Sequence, residues 1–358
     1  MGEGLPTGTS SMSAMSADTI AVTAAGAAAR DGTSAGAASP AGAASPAGPG
    51  IPAAMAARSA GENFPVALRL LPARHRQHLM AVYGFARTVD DIGDRAPVAE
   101  RARLLDELEA DLGRLYPDRG DASQRPAGAA GSGAGQDGTG QDRIGQDGTG
   151  QDGVPELSVI RALGPAVTQC AIPRQPFLDL IQANRQDQLV ARYETFDDLQ
   201  GYCRLSANPV GRIVLHVFGA FSPARAGLSD QVCTALQLAE HWQDVGEDFR
   251  AGRVYLPGQD MTRYGCAESD LSAPVASPAL RGLVAFETAR ARALLDAGAP
   301  LVGTLRGFAR AAVAGYVAGG RAALAAIAAA DYDVLRATPR PRADRTAAEL
   351  LRCYATGR

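Results

Sequence analysis

Apolar residues recur at helical spacing along most of the chain. Between Arg74 and Asp94 they appear every three or four residues, as at Leu79, Val82 and Phe85, which is the period of an α-helix with one buried face. No alternating pattern typical of a β-strand competes with it there. The same spacing occurs in five further segments: 176–187, 197–218, 230–249, 280–297 and 301–330. The pattern predicts an all-α bundle.

Two stretches of the chain lack this pattern. Residues 1 to about 57 consist mainly of Ala, Gly, Ser, Thr and Pro, and a second stretch at about 118–153 contains the repeats GQDGT, GQDRI and GQDGT. Neither stretch has enough large apolar side chains to offset the entropy lost on ordering. We therefore predict a disordered tail at 1–57 and a single helical catalytic domain at 58–358, interrupted by a low-complexity surface insertion.

Composition narrows the classes of function. The 358-residue chain has no lysine and a formal net charge of −3, which gives no support for nucleic-acid binding. Its 5 cysteines include no C-x-x-C pair, so we interpret them as reduced thiols. No apolar run reaches the roughly 20 residues that span a bilayer, and no charged segment followed by an apolar one opens the chain. These features predict a cytoplasmic protein with at most peripheral membrane contact.

Two of the predicted helices carry polar stripes of the same kind. The first stripe consists of Tyr83, Arg87, Asp90 and Asp94. The second consists of Gln237, Glu240, Asp244 and Asp248. Spacings of three and four residues place each set on one helix face. Because Mg²⁺ prefers oxygen ligands and is often shared between carboxylates and phosphates, two facing stripes indicate a site for a diphosphate bridged by metal ions. A solvated helix face is the alternative for either stripe alone.

Five stretches of the sequence resemble the squalene/phytoene synthase family, in the order found in that family. They are ENFPVALRLLP (62–72), YGFARTVDDIGD (83–94), YCRLSANPVGRIVLHVFG (202–219), LQLAEHWQDVGEDFRAGRVYLP (236–257) and DYDVL (331–335). The resemblance spans about 61–335, apart from the insertion. It implies the isoprenoid synthase fold, a helical bundle around a central cavity. It also implies two or three Mg²⁺ ions bound with the substrate diphosphate, and head-to-head chemistry on prenyl diphosphates.

Carried over position by position, the resemblance implies three sets of site residues. The metal ligands would be Asp90, Asp94, Glu240, Asp244 and Asp248. The catalytic residues would be Tyr83, Tyr202, Asp90, Asp94, Asp244 and Asp248. The substrate-binding residues would be Asn63, Phe64, Arg87, Asn208, Gln237, Gln243, Arg253 and Tyr255. Asp91 and Glu247 fall within the motifs but point off the stripes.

Departures from the family pattern indicate a branch within it. Most members have V-A-G-x-V-G where this chain has S-A-N-P-V-G from Ser206. Pro209 should kink this helix and free the carbonyl of Leu205, which could hold a water together with Ser206 and Asn208. Two further departures, Glu240 and Gln243, replace the usual Asn and Arg. These patterns resemble bacterial hydroxysqualene synthases of hopanoid pathways, which ionise presqualene diphosphate and quench the cation with water.

The resemblance leaves three hypotheses for function. The first is conversion of presqualene diphosphate and water to hydroxysqualene, for which no NADPH is expected; no G-x-G-x-x-G motif follows a strand. The second is condensation of two prenyl diphosphates, such as farnesyl diphosphate, to presqualene diphosphate, squalene or phytoene. The third is a non-catalytic relative that acts as a binding or assembly protein. The expected partners are a prenyl diphosphate and other enzymes of the squalene and hopanoid pathway.

Overall fold

The computed structural model describes residues 71–116 and 153–358. The predicted tail, Asn63, Phe64 and nearly all of the predicted insertion lie outside the described residues. Within those two ranges the chain is helical, and the only β pairing is an isolated bridge between Arg192 and Val254. The all-α prediction is confirmed.

The helices follow one another with short connections. The first six are α1 (Ala73–Arg95), α2 (Val98–Gly113), α3 (Ser158–Cys170), α4 (Gln175–Asp187), α5 (Phe196–Ser206) and α6 (Asn208–Val217). The next three are α7 (Pro223–Gln243), α8 (Val245–Arg250) and α9 (Gly258–Tyr264), followed by a 3-10 turn (Glu268–Ser272). The last four are α10 (Pro278–Gly298), α11 (Leu301–Thr304), α12 (Gly307–Ala329) and α13 (Ala343–Thr356).

Polar caps fix where several of these helices begin. The Thr195 hydroxyl accepts a hydrogen bond from the Asp198 N–H, and the Asp198 carboxylate accepts the Thr195 N–H. This reciprocal arrangement satisfies two donors that have no partner within α5. Ser222 and Ser277 cap α7 and α10, and each is followed by a proline at the first helical position. The caps explain why α7 begins at Pro223, before the start that periodicity predicts.

Three interruptions divide segments that periodicity predicts to be continuous. The helix containing Pro209 is divided at Ala207 (φ −108°, ψ −48°), so the predicted kink is confirmed; proline cannot donate the helical hydrogen bond. The second acidic helix is divided at Asp244 (φ −106°, ψ 16°), and the segment 301–330 is divided before Gly307 (φ 56°). Glycine adopts positive φ freely, which accounts for the break before Gly307. These last two breaks correct the continuous helices predicted.

Within the described part of the chain, the core consists of two apolar clusters that meet at Phe218 and Tyr316. One cluster lies mainly among α1, α2, α3, α4 and α6, where Phe85 and Phe177 meet edge to face with centroids 5.1 Å apart. The other lies mainly among α5, α7, α10 and α12 and includes the fully buried Trp242. Phe218 and Tyr316 contact both clusters. The polar stripes of α1 and α7 therefore belong to different halves of the bundle.

Among the described residues, α12 is long and apolar enough, by length and composition, to cross a membrane. This corrects the expectation that no such run exists, because its many alanines raise the mean hydropathy despite Arg310 and Arg321. Some 61% of its apolar window is buried within the bundle, against α7, α10 and α13. A buried core helix accounts for this composition.

A buried ionic cluster joins α9 to α10. The Arg290 guanidinium lies 2.9 Å from an Asp260 oxygen and 3.2 Å from a Glu287 oxygen. Glu287 is fully buried, and burial raises the pKa of its carboxyl to about 8, opposed by Arg290. At neutral pH the folded protein therefore holds a proton that the unfolded chain has released.

The raised pKa of Glu287 predicts that the free energy of unfolding falls as pH rises. Between about pH 4.5 and 8 the folded state binds more protons at Glu287 than the unfolded state does, so the free energy of unfolding should fall by up to about 1.4 kcal/mol per pH unit. Glu287→Gln should remove that part of the slope, as measured by urea unfolding at pH 5 to 8. The control is Glu349→Gln on the α13 surface. Equal slopes in wild type and Glu287→Gln would contradict the assignment.

Candidate active site

The first stripe lies on the buried face of α1. Tyr83 and Asp90 have 7% and 4% of their surfaces exposed. Asn184 of α4 donates a hydrogen bond from Nδ2 to Asp90 Oδ1 at 3.3 Å. Gly93 permits this approach, because a Cβ atom there would lie 2.0 Å from Asn184 Oδ1. The glycine within the D-D-I-G-D motif therefore lets α4 bring polar groups to the stripe.

The arginines of α1 lie at the outer edge of the stripe. Arg87 Nε and Arg95 Nη1 lie 3.3 Å and 3.0 Å from the same oxygen of Asp91. The Asp91 side chain is one-third exposed, consistent with its predicted position off the stripe. Arg87, predicted to bind substrate, is thus held beside the buried aspartates by an ion pair on its own helix.

The second stripe crosses the break between α7 and α8. Glu240 and Asp244 are half-buried, and Asp244 is itself the break residue. Gln243 Nε2 donates to the carbonyl of Pro339, and Thr338 Oγ1 lies 3.2 Å from a Glu247 oxygen. The segment before α13 therefore covers one side of this break. Gln243, predicted to bind substrate, contacts that segment.

Arg253 connects the two stripes. Its guanidinium lies 3.7 Å from Asp94 Oδ1 on α1 and 4.0 Å from Asp187 Oδ2 at the end of α4. The side chain of Arg253 is 10% exposed. Its position is fixed by backbone hydrogen bonds from Val254 N to the Ala191 carbonyl and from Gly258 N to the Tyr193 carbonyl, both 2.9 Å long. Arg253, which follows the second stripe in the sequence, therefore contacts Asp94 of the first stripe.

Asp187 is a site residue that the motifs do not reveal. Tyr202 donates its hydroxyl hydrogen to Asp187 Oδ2 at 2.9 Å. Burial raises the pKa of Asp187 to about 6, Arg253 opposes this shift, and the carboxylates of Asp94 and Asp248 add to it. Because the charges of both Asp94 and Asp248 act on Asp187, the two stripes face a common centre.

Four aromatic rings line the same centre. Tyr255 stacks on His241 with centroids 3.6 Å apart and lies 5.9 Å from both Tyr193 and Tyr202. Tyr193 and Tyr202 lie 5.6 Å from each other. Burial raises the pKa of Tyr202 and Tyr255 well above the usual value, so both phenols are neutral hydrogen-bond donors. Tyr193 and His241 were not predicted as site residues.

A chain of polar contacts runs from the kinked helix to the second stripe. Ser206 Oγ lies 3.1 Å from Gln237 Oε1, and Gln237 Nε2 lies 2.9 Å from His241 Nε2. His241 Nδ1 is 3.8 Å from a carboxylate oxygen of Asp248. Asn208, predicted to contact substrate, is 3% exposed and accepts a hydrogen bond from Thr234 Oγ1 at 3.0 Å. The kink is therefore joined through Gln237 to the acidic residues.

An apolar cavity lies beside this polar chain. Its volume is about 40 Å³. Its lining is almost entirely aliphatic and aromatic, including Val210, Val214, Leu236, Val313 and Tyr316. A smaller recess of about 10 Å³ is lined by His241, Asp248, Arg253 and Tyr255, among others. The apolar cavity thus reaches the second stripe at Leu236, which precedes Gln237.

The charge balance of the centre fits divalent cations. Asp90, Asp94, Asp187 and Asp248 are largely buried, and burial is the first cause of the raised pKa of Asp94. Within 71–116 and 153–358, no three His, Cys, Asp or Glu side chains lie close enough to hold a metal ion by themselves. Mg²⁺ commonly takes one or two carboxylates and completes its shell with waters and substrate phosphates. The donor set therefore fits metal that binds together with a diphosphate.

Comparison with known proteins places this site in a family. The family model for squalene/phytoene synthases matches residues 57–347. The chain belongs to the squalene/phytoene synthase family. Members of this family act on prenyl diphosphates.

The relatives of this chain include proteins named hydroxysqualene, phytoene, squalene and dehydrosqualene synthase. A hydroxysqualene synthase of Rhodopseudomonas palustris is 34% identical over 69% of this chain and 72% of its own length. A phytoene synthase of Mycobacterium tuberculosis is 31% identical over 58% of this chain and 57% of its own length. A solved squalene synthase from Alicyclobacillus acidocaldarius has 36% identity and a TM-score of 0.62, covering 75% of this chain and 89% of its own. A dehydrosqualene synthase, at 24% identity and a TM-score of 0.66, supports the fold alone.

Proposed function

We propose that the protein converts presqualene diphosphate and water to hydroxysqualene and diphosphate with Mg²⁺. The observation that carries the proposal is Arg253, which ion-pairs with Asp94 and Asp187 and donates its backbone N–H to the Asp248 carbonyl at 2.8 Å, beside the four aromatic rings. The similarity to hydroxysqualene synthases from Rhodopseudomonas palustris and Sinorhizobium fredii, at 34% and 33% identity, supports this branch of the family. The helix break ahead of Pro209 supports it as well.

The acidic residues and Arg253 would hold the leaving group. Mg²⁺ held by Asp90, Asp94, Glu240, Asp244 and Asp248 would neutralise negative charge on the diphosphate. Arg253 would donate charge-assisted hydrogen bonds to phosphate oxygens. Because its guanidinium is buried and already fixed by the two carboxylates, little ordering would be needed when the substrate arrives.

The apolar and aromatic groups would control the carbon chemistry. The carbon–oxygen bond breaks and its electron pair leaves with diphosphate, while the faces of Tyr202 and Tyr255 stabilise the carbocation. Water held near Ser206 and Gln237 then gives an electron pair to the rearranged cation, and its proton passes to the diphosphate. Carbon gains one C–O bond and loses one, so the reaction needs no reductant.

An isotope experiment tests the proposal. Purified protein with Mg²⁺ is given presqualene diphosphate or farnesyl diphosphate in ¹⁸O-labelled water without reductant, and products are identified by mass spectrometry. We expect ¹⁸O-labelled hydroxysqualene from presqualene diphosphate. An Asp244→Asn variant provides the enzyme-dependent control.

The other outcomes decide between the remaining hypotheses. Consumption of farnesyl diphosphate would favour a condensing enzyme, a reaction suggested by the relatives named phytoene and squalene synthase. Loss of diphosphate without ¹⁸O in the product would contradict hydration. Absence of turnover with both substrates would favour a binding or assembly role.

A further inference from the structure

One end of the bundle exposes apolar side chains next to arginine. Phe308, Leu351 and Tyr354 have 47%, 72% and 46% of their surfaces exposed. Leu351 and Tyr354 lie about one turn apart on α13. Arg310 of α12 donates from Nε to the Tyr354 carbonyl at 3.2 Å, and its guanidinium carbon lies 5.0 Å from the Tyr354 ring centroid. These contacts place the exposed residues of α12 and α13 together.

Phe221 belongs to the same end. It is 42% exposed and directly precedes the cap of α7. Arg225 ties this region to the end of α11, because its guanidinium donates to the carbonyls of Ala220 and Thr304 at 3.0 Å and 2.8 Å. The backbones of Gly303 and Gly357 are in contact, since a Cβ atom on Gly303 would lie 2.8 Å from the Gly357 carbonyl oxygen. The chain just before α12 therefore meets the end of α13.

We call Phe221, Phe308, Leu351 and Tyr354 the apolar end surface. Arginines lie at this end of the bundle: Arg225 and Arg310 make the contacts described above, Arg306 is exposed two residues before Phe308, and Arg352 follows Leu351. The nearby carboxylate of Glu349 pairs with Arg352. Exposed aromatic and aliphatic groups beside arginines suit the boundary between lipid headgroups and acyl chains.

The apolar end surface also lies next to the cavity. Leu301 of α11 and Val313 of α12 line that cavity, and Phe308 lies between them in the sequence. Ser229 and Val232, from the part of α7 that follows Arg225, line it as well. The acidic residues Asp244 and Asp248 follow α7 at its opposite end. The cavity therefore lies between the polar centre and the apolar end surface.

We infer that the apolar end surface docks on an anionic lipid bilayer. The purpose of docking rests on the proposed function: because the surface lies beside the cavity, a prenyl product would be released near acyl chains instead of into water. The arginines supply attraction to anionic headgroups, and the four apolar side chains supply burial below them. Docking itself requires no catalysis, so it can be measured without substrate.

Vesicle co-sedimentation tests this inference with the full-length protein. We expect binding to vesicles of phosphatidylglycerol and phosphatidylcholine, weak binding to pure phosphatidylcholine, and a decrease at high salt as the charges are screened. The double variant Phe308→Ser/Leu351→Ser should bind the anionic vesicles about tenfold more weakly, because it removes two exposed apolar anchors. Its turnover of detergent-solubilised substrate should stay unchanged, because neither residue lines the candidate active site.

The matched control is Val98→Ser/Val275→Ser. These valines are 77% and 45% exposed and lie outside the apolar end surface, so this variant should bind vesicles as the wild type does. Equal vesicle binding by all three proteins would overturn the inference. So would a wild-type dimer that Phe308→Ser/Leu351→Ser converts to a monomer in sedimentation velocity, because a second copy would then cover the surface. Thermal unfolding of each variant confirms that it is folded.

Discussion

Replacing Asp90 by asparagine should lower turnover of presqualene diphosphate by about a hundredfold or more, the scale seen when a group that stabilises transition-state charge is removed. The bundle should still fold, because asparagine has the same shape and its Oδ1 can accept the hydrogen bond from Asn184 that Asp90 accepts now. Asp244→Asn should have a comparable effect from the second stripe. Steady-state kinetics at saturating Mg²⁺, with circular dichroism to confirm folding, measures both effects.

The matched control for Asp90 is its neighbour Asp91. Asp91 pairs with Arg87 and Arg95 at the edge of α1 and is one-third exposed, and such exposed ion pairs contribute little. Asp91→Asn should therefore change turnover by less than about fivefold. Wild-type rates in both Asp90→Asn and Asp244→Asn would refute the assignment of the stripes to metal and diphosphate.

Replacing Arg253 by methionine should both destabilise the protein and remove turnover. The change leaves Asp94 and Asp187 buried without the cation that both now contact, and loss of one partner of a buried ion pair costs about 3–5 kcal/mol. Urea unfolding at pH 7 measures the loss of stability. The double variant Arg253→Met/Asp187→Asn should recover part of that stability, because one uncompensated carboxylate is gone, while turnover stays absent.

An exposed arginine provides the comparison for Arg253. Arg103 pairs with Glu100 and Glu107 on the surface of α2, with more than half of each side chain exposed. Arg103→Met should change the free energy of unfolding by less than about 1 kcal/mol and leave turnover intact. If Arg253→Met proved no more destabilising than Arg103→Met, the Arg253 guanidinium would not compensate the buried carboxylates of Asp94 and Asp187.

Periodicity predicts helices well where one face is clearly apolar. It places α1 and α4 close to their observed bounds, and Pro209 predicts the break between α5 and α6. It does not single out α13, whose buried residues are only Thr346 and Cys353. The break at Asp244 carries no proline or positive-φ glycine, so the local sequence gives no reason for it. Its position depends on contacts with residues far along the chain, at Leu335 and Pro339.

Local sequence likewise reveals some residues of the candidate active site and not others. The acidic stripes follow from spacing within one helix, so sequence alone can find them. Asp187 and Asn184 share the apolar face of α4 with Leu180 and Ile181, and polar residues on a buried helix face were the available signal. Tyr193 had no such signal, because it lies in the connection between α4 and α5. Its place beside Tyr255 depends on hydrogen bonds between segments distant in sequence.

The pairing of those two segments makes the centre cooperative. One segment carries Tyr193, and the other carries Arg253 and Tyr255, and hydrogen bonds from Val254 and Gly258 join them. Separating the segments would withdraw a guanidinium and two phenol rings in a single event. The protein should therefore switch between competent and incompetent forms as a whole, without weakening one contact at a time.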